Sequence, residues 1–73
     1  MIQFASVEYR GEIYFVDWHS ILGGGKVTVP FKDFDDAVKY ARSLPDVTVS
    51  INCEVPERMT AETWAYVQSG VRA

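Results

Sequence analysis

The side chains best suited to chemistry in this chain are His19, Cys53, the Gly23-Gly24-Gly25-Lys26 run and two groups of acids. His19 is the only histidine and Cys53 the only cysteine. A nucleophilic pair needs the thiol beside the imidazole, with a third group to orient the base. Asp17 stands two residues before His19, so in a continuing strand the two share a face. Cys53 falls on the apolar parity of its own strand, where a buried and inert thiol is the ordinary outcome. No set of nucleophile, base and orienter emerges, and an enzyme is not expected. A four-cysteine zinc site is impossible, and Asp33, Asp35, Glu54 and Cys53 lack ligand spacing around His19. No metal or cofactor is expected.

The glycine run invites comparison with a phosphate-binding loop. That pattern requires a glycine five residues before the Gly-Lys pair and Ser or Thr after the lysine. Ser20 and Val27 occupy those places, and a strand rather than a helix follows. The run reads as a loop over 19–25 that can carry contacts.

The acids have a second use. Asp33, Asp35 and Asp36 open one predicted helix, and Glu54, Glu57 and Glu62 cluster near the start of another. Carboxylates at helix N-termini complement the dipole there. If the two N-termini lie together, Asp35, Asp36, Glu57 and Glu62 form one negative surface. Such a surface suits a protein partner with a basic, nucleic-acid-binding groove.

The elements that position these residues follow from periodicity. Residues 2–9 and 12–18 are rich in β-branched and aromatic side chains, with Arg10-Gly11 between them, so they read as a hairpin. The second strand is apolar on both faces. Tyr14, Val16 and Trp18 share one side; Ile13 and Phe15 share the other, with Tyr9 as a strand-one neighbour. A third strand at 26–31 carries Val27, Val29 and Phe31 on one face, and Pro30 places it at an edge.

Asp33 caps a helix whose buried stripe is Phe34, Ala37, Val38, Ala41 and Leu44, stopped by Pro45. Strand 47–53 alternates Val47, Val49, Ile51 and Cys53 against Thr48, Ser50 and Asn52. A last helix over Thr60–Ser69 has Thr60 as N-cap, a Met59–Trp64 staple and Gly70 as its stop. Trp64 and Val67 are expected to face the sheet.

The fold class is therefore α+β: one domain over 1–73 with a single mixed or antiparallel four-stranded sheet, both helices on one face, and the order β-β-β-α-β-α. A helical crossover makes the fourth strand parallel to the first and third.

Composition bounds the function. The chain has 73 residues, a net charge of −3, 48% hydrophobic residues and ten aromatics. One sheet and two helices cannot hide every large ring. The uncovered sheet face is therefore expected to support self-association or partner docking, with Tyr14 and Trp18 as its anchors if the second strand turns them outward. The missing basic block argues against direct nucleic-acid binding. No apolar run approaches the about 20 residues of a membrane span. A staple-free acidic domain is expected in a reducing cytoplasm.

The size, the acidity and the three-strand-then-helix order resemble small phage-encoded anti-CRISPR proteins. The stretch Val29-Pro30-Phe31-Lys32-Asp33-Phe34-Asp35-Asp36, leading into a helix that stops at Leu44-Pro45, is similar to a segment in one of them. This resemblance implies inhibition of a CRISPR effector complex in a prokaryotic host, and it carries over no particular residue. The hairpin, third strand and Asp35-Asp36-Ala37 helix start also resemble HicB-type antitoxins over roughly residues 2–53. This second resemblance implies a toxin nuclease as partner, although His19-Ser20-Ile21-Leu22-Gly23 replaces the proline-containing segment usual there.

Overall fold

Two consecutive left-handed residues, Gly11 at φ 57° and Glu12 at φ 66°, start the fold by reversing the chain in a two-residue turn. Positive φ at both positions matches the twist of a tight hairpin. The turn pairs β1 (Gln3–Arg10) antiparallel to β2 (Ile13–Ser20), with Arg10 opposite Ile13 and Tyr9 opposite Tyr14. The computed structural model describes residues 3–20 and 25–69. Most of the expected glycine loop and the Gly70 stop therefore lie outside the described residues.

β3 (Val27–Phe31) pairs antiparallel with β2, and β4 (Val47–Ile51) pairs parallel with β1, giving the sheet order β3-β2-β1-β4. Pro30 accordingly sits on an edge strand, where a missing amide donor breaks least. The sheet is mixed, with β4 parallel to β1 as the crossover predicts.

Helix α1 (Phe34–Ser43) buries Phe34, Ala37, Val38 and Ala41. Asp33 occupies the N-cap position, and its carbonyl accepts from the Ala37 amide at 3.1 Å. Its side chain makes no capping hydrogen bond, contrary to expectation. Pro45 holds Leu44 extended at φ −71°, ψ 138°, which ends the helix. Gln3 pins the following turn: its amide donates to the Asp46 carbonyl at 3.1 Å and its Nε2 to the Pro45 carbonyl at 2.7 Å.

Helix α2 (Ala61–Gln68) is capped by Thr60, whose Oγ1 accepts from the Thr63 amide at 3.2 Å. It buries Thr63 and Val67. Trp64 does not join them, for it is 54% exposed. At about 100° per residue, Trp64 lies a quarter-turn from Thr63, outside the narrow stripe that a two-turn helix can bury. The expected staple therefore leaves its aromatic half in solvent.

One core unites the layers. Ala5 and Val7 of β1, Val16 of β2, Val49 and Ile51 of β4, the α1 stripe and Val67 of α2 form a single buried cluster. Both helices thus cover the same face. Above β2 and β3 the packing is aromatic. Tyr14 meets Phe34 edge-on at 5.6 Å, Phe31 meets Tyr40 at 5.4 Å, and Trp18 Nε1 donates to Tyr40 Oη at 3.0 Å.

Candidate functional site

The helix side carries the acids that the sequence singles out. The Thr60 amide at the start of α2 donates to Asp35 Oδ1, in the first turn of α1, at 2.9 Å. This bond joins the two helix N-termini and satisfies an amide that α2 itself cannot. The cleft between them is lined by Asp35, Asp36, Lys39, Thr60, Glu62 and Thr63. Glu62 lies 3.6 Å from Arg42, whose guanidinium also covers the Tyr66 ring at 5.0 Å. Lys39 and Arg42 thus offset part of the negative charge. Asp35 is half-buried and committed to the joint between the helices, while Asp36 and Glu57 are exposed.

Tyr14 and Trp18 lie on the helix-covered side, so the outward pair on β2 is Ile13 and Phe15. Tyr9, opposite Tyr14 with ring centres 4.7 Å apart, also stands on the helix side rather than with Ile13 and Phe15. Tyr14 and Trp18 anchor α1, and removing either would disturb the aromatic packing above the sheet.

His19 and Cys53 are not brought together. His19 pairs with Phe4 at one end of β1, whereas Cys53 follows β4 beyond Ile51, which pairs with Val7. The intervening strand length is on the order of 15 Å. Burial raises the Cys53 thiol above its ordinary value of 9.0, with a further push from Glu8. Burial likewise raises Tyr14, aided by Cys53 and Tyr9, and raises Tyr66 against an opposing pull from Arg42.

These three groups resist deprotonation more in the folded chain than in the unfolded one. Their stabilising contribution is complete below the unfolded values and is lost as pH rises through the folded ones. Denaturant midpoints are therefore expected to fall progressively above about pH 9, first through Cys53 and then through the tyrosines. Cys53→Ser should remove the first part of that fall. A flat midpoint between about pH 8 and about pH 11 would contradict these shifts.

The open face of the sheet holds a side chain that sequence reasoning noted only as a neighbour of His19. Asp17 is 7% exposed although no helix covers it. The register explains how. Thr28, Asp17, Ser6 and Ser50 form one row across the four strands. This row of small polar residues runs between larger neighbours. Phe4 and His19 stand on one side with ring centres 5.7 Å apart. On the other, Arg10 lies 4.7 Å over the Phe15 ring.

Arg10 Nη2 approaches Asp17 Oδ2 at 4.0 Å, while Asp17 Oδ1 is buried with no hydrogen-bond partner. A depression of about 230 Å³ opens beside it, with Phe4, Ser6, Asp17, His19, Lys26 and Ser50 in its lining. The available signal in the sequence is a lone acid in an otherwise apolar strand, readable only once the register is known.

No protein family matches the chain, and no curated protein and no solved structure is significantly similar to it. Among the described residues, no helix is long and apolar enough to cross a membrane.

Proposed function

We propose that the chain is a non-enzymatic binding protein that inhibits a protein partner by covering a basic, nucleic-acid-binding surface. The observation that supports this most is the hydrogen bond from Thr60 to Asp35, which sets the two helix starts side by side. Around that joint Asp36 is free to meet an opposite charge. One turn into α2, Trp64 supplies the large exposed ring that protein interfaces favour as an anchor. The resemblance to anti-CRISPR proteins makes a CRISPR effector complex the first partner to try, and a toxin nuclease the second. The proposed setting is the cytoplasm of a prokaryotic host.

The test adds the purified chain to an effector complex and measures target-DNA binding, with a parallel arm following RNA cleavage by a toxin nuclease. Inhibition in the first arm supports the leading reading; inhibition in the second alone moves the partner to the toxin. Asp36→Lys combined with Glu57→Lys should slow association, weaken binding by roughly tenfold and flatten its salt dependence. Asp35 is left intact because reversing it would also unseat α2. Unchanged affinity and salt slope in the double variant would overturn the acidic-rim reading.

A further inference from the structure

The open face already shows how it holds a guanidinium. The Arg10 guanidinium sits over Phe15 at 4.7 Å from the ring centre and brings Nη2 to 4.0 Å from Asp17 Oδ2. On the other side of the same carboxylate the arrangement begins again: an aromatic ring, Phe4, and a carboxylate oxygen, Oδ1. Phe4 is 38% exposed, and Oδ1 is buried without a partner. No cation stands over Phe4 among the described residues.

The floor of this second half is built from acceptors. Ser6 Oγ donates its proton to Glu8 Oε2 at 3.1 Å, and Ser50 Oγ donates to Asn52 Oδ1 at 2.8 Å. Each hydroxyl has one proton to give, so neither serine serves Asp17, and both keep lone pairs free. A carboxylate oxygen with almost no exposed surface, next to Ser6 across the strand pair and with Ser50 one strand further along the row, calls for a ligand rich in N–H donors.

We propose that the depression bordered by Phe4, Ser6, Asp17 and Ser50 receives an arginine side chain of a protein partner. Its guanidinium stacks on Phe4 and donates to Asp17 Oδ1. A guanidinium fits better than an ammonium for two reasons. It is planar, with donors along its edge that reach several acceptors at once, and it is more weakly hydrated, which lowers the cost of meeting an oxygen with almost no exposed surface. A flat, delocalised cation also gains from the exposed aromatic face. A nucleobase could use the same donors and stack. However, a nucleic acid brings phosphates to a chain of net charge −3, and among the described residues Lys26 is the only lysine or arginine lining the depression. This site shares with the proposed function only the class of partner. It lies on the opposite face of the sheet from the acidic rim, so either reading can fail alone.

The experiment is an NMR titration of the ¹⁵N-labelled chain with the blocked tripeptide acetyl-Gly-Arg-Gly-amide, and with its lysine and citrulline counterparts. The arginine peptide should produce saturable shifts at Phe4, Ser6, Asp17 and Ser50. The lysine peptide should bind about fivefold more weakly or worse, and the uncharged citrulline peptide should give no saturable shift. Asp17→Asn should abolish the response in a chain whose thermal melt remains cooperative. Phe4→Leu, which keeps an apolar group but removes the ring, should weaken it several-fold.

Lys26→Met removes a competing cation from the rim and should tighten the arginine peptide. A short single-stranded oligodeoxynucleotide is the opposing probe. If it shifts the same amides and Lys26→Met weakens it, the ligand is a nucleic acid and the proposal falls. It falls equally if the arginine peptide gives no saturable shift, or if citrulline matches arginine.

Discussion

Phe34→Ala is expected to leave the chain largely unfolded at room temperature. Phe34 is 4% exposed at the start of α1 and packs edge-on against Tyr14. Truncating a buried phenylalanine costs about 3–5 kcal/mol in lost transfer energy and in the cavity left behind. A domain of this size has a total stability of roughly that amount. Each kcal/mol lost lowers the melting temperature of a small domain by about 4–8 °C. Circular dichroism should therefore show a lost or strongly depressed cooperative melt. Phe34→Leu fills most of the volume and should retain the transition at a lower midpoint. A Phe34→Ala melt within a few degrees of the parent would place the core elsewhere.

Asp17→Val is expected to do the reverse and stabilise the fold by about 1–3 kcal/mol. Asp17 is buried in a central strand with one carboxylate oxygen unpartnered and the other 4.0 Å from Arg10. The ion pair is long, and the desolvation of the charged group is set against little. Valine suits a strand and carries no charge to desolvate. A higher urea midpoint with an unchanged slope is the expected readout. A loss of stability would mean that the carboxylate is already well satisfied, and the argument for a ligand there would lose its footing. A gain, together with lost binding of the arginine peptide, would mark Asp17 as a residue kept for recognition against the interest of the fold.

The architecture was legible because its signals are local. The strict alternation of Val47, Val49 and Ile51 and the Phe34-Ala37-Val38-Ala41 stripe each define an element and its buried side without reference to the rest of the chain. The face taken by Tyr9 was legible but misplaced, since it depends only on whether the hairpin loop holds an even or an odd number of residues. With either Arg10-Gly11 or Gly11-Glu12 between the strands, Tyr9 shares the side of Tyr14, and counting it with Ile13 and Phe15 would require a loop of odd length. With Gly11-Glu12 as the turn, Arg10 meets Ile13, and Tyr9 falls opposite Tyr14 on the helix side. A one-residue slip exchanges the faces of a strand.

Trp64 misled for a related reason. Its spacing from Met59 fits a staple, but only the docking of α2 decides which stripe of so short a helix is buried. The sites were harder still to read. The bond between Asp35 and Thr60 spans 25 residues. Asp17 is flanked by Ser6 and Thr28 and approached by Arg10, which reach it only through the register.

The position of β1 has a consequence for how the protein is made. This strand precedes every other described element, yet it ends up between β2 and β4, and its partners on β4 follow 44 residues later in the chain. While the chain is still emerging from the ribosome, the hairpin can close on its own within microseconds. Ala5 and Val7, which become part of the core, then stand uncovered until α1 and β4 have both left the exit tunnel. β1 is therefore covered on its β4 side only after the whole stretch from β2 through β4 has been made, and the strand that pairs earliest is among the last to be enclosed.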